Sequence, residues 1–205
     1  MKVPPVQPPR NPFIAKRIAP GTLPYVFPEG DTAEGLISRL REARWRGQIV
    51  GPHGTGKSTL LATLLPLLEH EGRRPTLITL RKESKAPRGR ISKFISQATG
   101  DSRWMLVIDG YEQLGRFERW RLHRQMAGQA GGLLVTTHRP LKMEWTFETR
   151  TNHAVAQEVV RRLTSGYADL IATAEVNRIF EQCTGDVREL LFKLYDLYEQ
   201  RVRQD

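Results

Sequence analysis

Gln48-Ile49-Val50-Gly51-Pro52-His53-Gly54-Thr55-Gly56-Lys57-Ser58-Thr59-Leu60-Leu61 joins a β-branched run, a glycine-rich turn and the start of an apolar helical pattern. Its central octapeptide, Gly51 to Ser58, fits G-x-x-x-x-G-K-[ST], the phosphate-binding P-loop pattern. Gly51, Gly54 and Gly56 let the backbone bend without a Cβ in the way, so successive N–H groups can face an anion. Lys57 then supplies a point charge to the β- and γ-phosphates and Ser58 a hydroxyl to Mg²⁺. The helix opening at Lys57 aims its positive end at the same spot. The phosphate-binding stretch is expected to include Gly51, Pro52, His53, Gly54, Thr55, Gly56, Lys57, Ser58 and Thr59. The alternative is a glycine-rich turn with no ligand, for which the strand–loop–helix context would be incidental.

The chain of 205 residues can hold one α/β core with a small appended lid. Its single cysteine, Cys183, excludes an intramolecular disulfide framework and agrees with a reducing cytoplasm. It falls in a helical pattern, where a buried thiol is the expected reading. No apolar run approaches the roughly 20 residues needed to span a bilayer, and the N-terminus is proline-rich rather than a charged start followed by an apolar stretch. A soluble, unexported, cytoplasmic protein is expected, with no membrane partner. The formal net charge is +10, carried by 24 arginines and 8 lysines, which favours an anionic partner beyond the nucleotide.

Pro4, Pro5, Pro8, Pro9, Pro12, Pro20, Pro24 and Pro28 oppose helix and central strand, so residues 1–30 are expected to form an extended proline-rich arm. Phe13, Ile14, Tyr25, Val26 and Phe27 argue that part of it lies on the domain. Asp31-Thr32-Ala33-Glu34 resembles a helix start, followed by the apolar positions Leu36, Ile37 and Leu40. From Arg46 strands alternate with helices, the pattern of a parallel sheet. Strands are expected at Gln48 to Val50, Thr76 to Leu80, Met105 to Ile108, Leu133 to Thr136 and Glu144 to Glu148. Helices are expected at Lys57 to Glu69, Ile91 to Ala98 and Phe117 to Met126, with Pro66 kinking the first or ending it early. Helical patterns then run over Ala154 to Leu163, Ala174 to Cys183 and Val187 to Arg201. The organisation is thus an arm over 1–30, a P-loop core over 31–151 and a helical lid over 152–205.

Trp104-Met105-Leu106-Val107-Ile108-Asp109 is a buried strand ending in a carboxylate, the Walker B pattern, so Asp109 is expected to hold Mg²⁺ opposite Ser58. Glu112, at the mouth of the same strand, is the candidate carboxylate for orienting an attacking water. The alternative is a surface glutamate that starts the next segment. Many ATPases carry glutamate directly after the aspartate, where Gly110 stands here. Thr136-Thr137-His138-Arg139 follows an apolar strand, and a polar side chain there can detect a γ-phosphate. Thr136 or Thr137 is the sensor candidate and Arg139 a weaker one, against a strand-end turn with a hydroxyl cap. His138 receives no role, because no second histidine or cysteine stands at metal-ligand spacing. Gly185-Asp186-Val187-Arg188-Glu189-Leu190-Leu191 opens the last helix with Asp186 as cap. Arg188 could reach from the lid to the triphosphate or make an ordinary salt bridge.

These four motifs, in this order, make the chain over roughly Asp31 to Arg203 resemble the additional-strand P-loop ATPases, the AAA+ and STAND group. Gly51 to Ser58 is similar to the GPxGTGKS of AAA+ proteins. Asp109-Gly110-Tyr111-Glu112 and Thr136-Thr137-His138-Arg139-Pro140 are similar to the DGxxE and TSRP elements of STAND proteins, and Gly185 to Leu190 to the sensor-2 stretch of AAA+ lids. The resemblance implies an α/β P-loop NTPase fold with a parallel five-stranded sheet of order 5-1-4-3-2, helices on both faces and a small C-terminal helical lid. It also implies ATP and Mg²⁺, and hydrolysis or ATP-gated switching carried by Lys57, Glu112, Thr136 and Arg188. An arginine from a neighbouring subunit of a homo-oligomer in the ATP state, Arg139 or Arg150 by position, would assist. Gln113 stands where many STAND proteins have an acidic residue, and the arm's position suits a segment folding over the adenine.

Two partner classes remain. A helper ATPase coupled to nucleic acid is favoured by the basic segments 81–93 (Arg81, Lys82, Lys85, Arg88, Arg90 and Lys93) and 116–124 (Arg116, Arg119, Arg121 and Arg124 around Trp120). Arginine-rich solvated helices are the plain alternative. A nucleotide-dependent protein-interaction switch with slow turnover is the second class, its partner another polypeptide. A P-loop metabolic kinase comes third, opposed by the lid and the Walker B pattern.

Overall fold

The computed structural model describes residues 11–81, 91, 101–127, 131–167 and 171–203. Five strands, β1 (Arg46–Val50), β2 (Arg74–Thr79), β3 (Trp104–Asp109), β4 (Gly132–Thr137) and β5 (Thr146–Glu148), form one sheet in the order β2-β3-β4-β1-β5. Every pairing is parallel, so the expected order 5-1-4-3-2 is met.

Alternation along the strands sorts the core into two layers, because successive side chains leave a strand on opposite faces. Met105, Val107 and Leu134 join Ile49 and Phe147 on one face, beneath α2 (Ala33–Glu42) and α3 (Lys57–His70). Trp104, Leu106, Ile108, Leu133 and Val135 face the other way, onto α4 (Arg116–Met126) through Leu122 and Met126. Both faces are covered, which is why these strands read as continuous apolar runs. Of the helix expected at Ile91 to Ala98, only Ile91 is described, helical and buried against this second layer. The rest, with basic positions 82–90 and Lys93, lies outside the described residues.

Helices α5 (His153–Thr164), α6 (Thr173–Gln182) and α7 (Val187–Val202) follow. They bury a third cluster of their own, including Val160, Phe180, Leu190, Leu194 and Cys183. Burial pushes the Cys183 thiol above its ordinary value, as suits a packing residue.

Two expectations are corrected. Pro66 does not end α3, which runs on to His70. Leu60, Leu61, Leu64 and Leu68 are fully or almost fully buried, worth about 1.5–3 kcal/mol each. Together they outweigh the ~3 kcal/mol of an internal proline, whose ring faces solvent. The arm is not wholly extended either: Ala15–Ile18 forms one helical turn, α1, in the proline-free stretch between Pro12 and Pro20. Arg17 ties that turn to the Tyr167 hydroxyl at 2.6 Å and the Leu163 carbonyl at 3.0 Å. Ala19 turns extended (ψ 146°) because the following proline disfavours the helical region. Residues 11–30 also join two of the buried clusters. Phe13 is buried among the C-terminal helices, whereas Tyr25 packs into the α2–α3 layer, its backbone N–H donating to Thr63 Oγ1 at 3.0 Å.

Among the described residues no helix is long and apolar enough to cross a membrane.

Candidate functional site

Because β3, β4 and β1 are adjacent and parallel, their C-terminal ends open on one edge of the sheet, where ligands of such sheets bind. The loop of residues 51–56 leaves β1 there, Asp109 ends β3, and Thr136 and Thr137 end β4. Ser58 Oγ donates to Asp109 Oδ2 at 2.8 Å, bridging α3 and β3. Thr136 Oγ1 donates to Asp109 Oδ1 at 2.7 Å and accepts from the Gly110 N–H at 2.8 Å. Both oxygens of Asp109 are thereby aimed, and Thr136, almost completely buried, is the member of the threonine pair that touches the site. The Thr137 hydroxyl instead donates to the Arg139 carbonyl at 3.0 Å.

Each loop glycine is demanded by a close neighbour. A Cβ on Gly51 would lie 2.1 Å from Thr149 Oγ1, and one on Gly54 would lie 1.7 Å from Asp186 Oδ1. Gly54 and Gly56 also have φ of +69° and +86°, where L side chains are strained; the Tyr25 ring packs against Gly56. Thr55 Oγ1 donates to the Pro52 carbonyl at 2.9 Å and meets Thr149 Oγ1 at 2.7 Å. Thr59 lies in the first turn of α3, and its carbonyl accepts from Thr63 Oγ1. Lys57 Nζ donates to the carbonyls of Gly51 and Pro52, at 2.7 and 2.6 Å. Desolvation holds this ammonium below its ordinary value, against the opposing pull of Glu112, Asp109 and Asp186.

Glu112 lies in the single 3-10 turn Tyr111–Gln113 after β3. Its Oε1 takes His138 Nε2 at 2.9 Å, while Oε2 is buried without a hydrogen-bond partner. His138 Nδ1 stands 3.3 Å from Lys57 Nζ and 3.1 Å from the Gly51 carbonyl, and its ring lies 4.0 Å from that of His53. His53 is held below its ordinary value, first by desolvation and then by His138 and Lys57. His138 is thus the residue that sequence reasoning passed over. It joins Glu112 to the P-loop, and the signal for it was its position directly after Thr136-Thr137.

At the other end of the loop, Asp186 caps α7 by accepting from the Glu189 N–H at 2.9 Å, with its carboxylate against Gly54. The expected cap is present and touches the P-loop as well. Arg188, two residues on, lies over the Phe192 ring of its own helix at 5.6 Å. Among the described residues it neither reaches the loop nor makes a salt bridge. Arg150 pairs with Glu148 at 2.7 Å, and the exposed Arg139 has a guanidinium without a partner among the described residues. Gln113 is exposed.

The Ser58 hydroxyl and the Asp109 carboxylate form an oxygen-only donor pair that suits Mg²⁺, a hard cation that takes few protein ligands beside phosphate oxygens. Glu112 Oε2, buried and unpartnered, is a further acceptor in the turn that follows Asp109.

No protein-family model matches the sequence, and no curated protein matches it. Among solved structures the chain is similar to the crystal structure of a DNA replication initiation factor, with a TM-score of 0.59 and 14% identity over 87% of this chain and 66% of that one. It is also similar to S. cerevisiae Hsp104 from a complex with casein, with a TM-score of 0.62 and 13% identity over 90% of this chain and 39% of that one. The chain therefore spans under two thirds of either neighbour's length. At such identities the likeness is one of fold: a parallel α/β sheet with helices on both faces.

Proposed function

We propose that this chain binds ATP with Mg²⁺ and hydrolyses it, and that its turnover is coupled to nucleic acid. The observation that carries this reading is the chain Ser58–Asp109–Thr136–Gly110, lying beside a glutamate with one buried oxygen free. The loop amides and Lys57 bind the phosphates, Lys57 exchanging two loop carbonyls for phosphate oxygens. Mg²⁺ held by Ser58 and Asp109 supplies neutralisation of charge on the phosphate oxygens. Thr136 keeps Asp109 aimed. Glu112 Oε2 accepts a hydrogen bond from water and orients it for in-line attack on the γ-phosphorus, releasing ADP and phosphate. Arg188 would have to leave the Phe192 face to reach the triphosphate. Arg139, exposed and unpaired among the described residues, suits an arginine supplied across a subunit interface better than Arg150, which is paired.

The net charge of +10 supports the nucleic-acid coupling. The seat of Arg188 on the Phe192 ring of its own helix favours the second reading, a nucleotide-dependent protein switch with slow turnover. The test is Mg²⁺-dependent ATP turnover and ATP affinity of the wild type, Lys57→Ala and Glu112→Gln, each with and without single- and double-stranded DNA. Lys57→Ala should lose both. Glu112→Gln should keep binding and lose about 10²- to 10⁴-fold in turnover. Tight binding with negligible wild-type turnover, DNA or not, would replace the ATPase reading with the switch.

A further inference from the structure

Helix α4 turns Leu122 and Met126 into the core and leaves Arg116, Phe117, Trp120, Arg121, His123 and Arg124 exposed. Phe117 and Trp120 are 70% and 53% accessible. They stack on each other, centroids 5.8 Å apart and planes 28° apart, and the Arg124 guanidinium lies 5.3 Å from the Trp120 centroid. Two large rings left side by side in water are unusual for a helix whose apolar seam is already buried.

The charges around them are unusual too. Several guanidinium groups elsewhere on this surface meet carboxylates, as in Arg39–Asp31, Arg74–Asp101 and Arg161–Glu158. On α4, Arg116 and Arg121 have no carboxylate partner among the described residues, and Arg124 has the Trp120 ring. The single acid of the helix, Glu118, accepts from the Gly115 N–H at its start. The stripe therefore offers flat apolar faces flanked by arginines, of which Arg116 and Arg121 have no carboxylate partner among the described residues.

We propose that this stripe binds single-stranded nucleic acid, the bases stacking on Phe117 and Trp120 and the phosphates running past Arg116, Arg121 and Arg124. The partner that complements both features is a polyanion carrying flat apolar groups. A duplex keeps its base faces stacked inside and gives the rings nothing. The arginines only donate, and the phosphate oxygens of a single strand, DNA or RNA, accept from them.

The same helix is fastened to the candidate catalytic turn. Arg119 points inward, donating to the carbonyls of Leu114 and Glu112, both at 2.9 Å, and lying over the Tyr111 ring at 5.2 Å. Tyr111 in turn meets His123 Nε2 at 3.0 Å. A strand bound on the outer face thus loads the helix that holds the backbone of Glu112. This coupling rests on the proposed ATPase activity; the binding itself does not.

The test separates the two. Fluorescence anisotropy of a labelled oligothymidylate, without nucleotide, is measured for the wild type, Phe117→Ala/Trp120→Ala and Arg116→Glu/Arg121→Glu, alongside a duplex and an RNA of matching length. The ring variant should fold normally by thermal melting and lose about 10- to 100-fold in affinity. The charge variant should also bind weakly, with a shallower salt dependence. In turnover assays the ring variant should keep its unstimulated rate and lose stimulation by single strands. Wild-type affinity in the ring variant overturns the proposal, as does equal or tighter binding of the duplex, and the RNA arm tells which single strand the stripe prefers. So does a wild-type dimer that the ring variant dissociates with no change in DNA affinity, which would make the stripe a self-association face. If no variant or condition gives turnover, anisotropy still decides the binding site and only the coupling falls.

Discussion

Gly54→Ala tests whether the P-loop and the start of α7 are one mechanical unit. The new Cβ would lie 1.7 Å from Asp186 Oδ1 and 2.2 Å from its Cγ, on a residue with φ of +69°. The left-handed backbone alone costs about 1 kcal/mol for a side-chain-bearing residue. The carboxylate cannot simply rotate away, because it caps α7 through the Glu189 N–H, and surrendering that cap costs about another 1 kcal/mol. If the loop and helix separate instead, packing loss of about 1–3 kcal/mol replaces the cap term. The variant should therefore lose about 2–4 kcal/mol, which for a chain of this size lowers Tm by roughly 4–16 °C. Asp186→Ala alone should lose about 1 kcal/mol. In the double variant the clash is gone, so its loss should fall short of the sum by about 1–3 kcal/mol. The assay is a double-mutant cycle by denaturant unfolding in the absence of nucleotide. Losses that add to within about 0.5 kcal/mol, as for independent sites, would refute the contact and with it any coupling of loop to helix through Asp186.

Thr136→Val removes the hydroxyl that accepts from Gly110 and donates to Asp109. Stranding those groups should cost about 1–3 kcal/mol in chemical denaturation, whereas Thr136→Ser should restore both stability and Mg²⁺-dependent turnover. Tyr25 gives a pH prediction. Burial, and secondarily the Asp31 charge, push its phenol from 10.0 up to about 12, so above pH 10 the unfolded chain releases this proton while the folded chain keeps it. Stability then falls as pH rises through that window, by about 2–3 kcal/mol near pH 12. Tyr111 and Tyr198 are also raised by burial, so the quantity to read is the difference between wild type and Tyr25→Phe in unfolding curves across this range. The variant should lose the smaller amount, and at pH 8 it should be no less stable, since the Tyr25 hydroxyl is buried without a hydrogen-bond partner.

What could be read from the chain follows the range of the forces involved. The strand–loop–helix at Gln48 to Leu61 is local, so spacing and residue type suffice. Met105/Val107 against Leu106/Ile108 reveals only that a strand is buried on both faces, and Asp109 marks its end. Pro66 misled because propensity is a local cost, while the leucines that override it act through the sheet. The contacts that complete the site are long-range. His138 meets Glu112 from the neighbouring strand end, Asp186 meets Gly54 across most of the chain, and Tyr25 reaches Gly56 from the arm. None has a sequence spacing, since parallel crossovers and the return of the last helices set those distances.

His138 offers the most demanding check on the proposed chemistry. An ammonium only donates and a carboxylate only accepts. A neutral His138 with its proton on Nε2 satisfies both neighbours, donating to Glu112 Oε1 at 2.9 Å and accepting from Lys57 at 3.3 Å. The Gly51 carbonyl, 3.1 Å from Nδ1, can be served only by a proton on Nδ1, so protonation would exchange Lys57 for Gly51 and leave the bond to Glu112 intact. In either state Oε1 is pinned and Oε2 is left for water. His138 is therefore a positioning residue, and His138→Ala should lower kcat by about tenfold, the scale of about 1.4 kcal/mol, with KM little changed because the loop still binds the phosphates. Nitrogen NMR shifts of the neutral ring should report a protonated Nε2 and a bare Nδ1; the opposite tautomer would contradict the network. Because the histidine acts through Glu112, adding His138→Ala to Glu112→Gln should cost nothing more in turnover. A further tenfold loss in that background would mean that His138 serves the reaction by a route other than the carboxylate it holds.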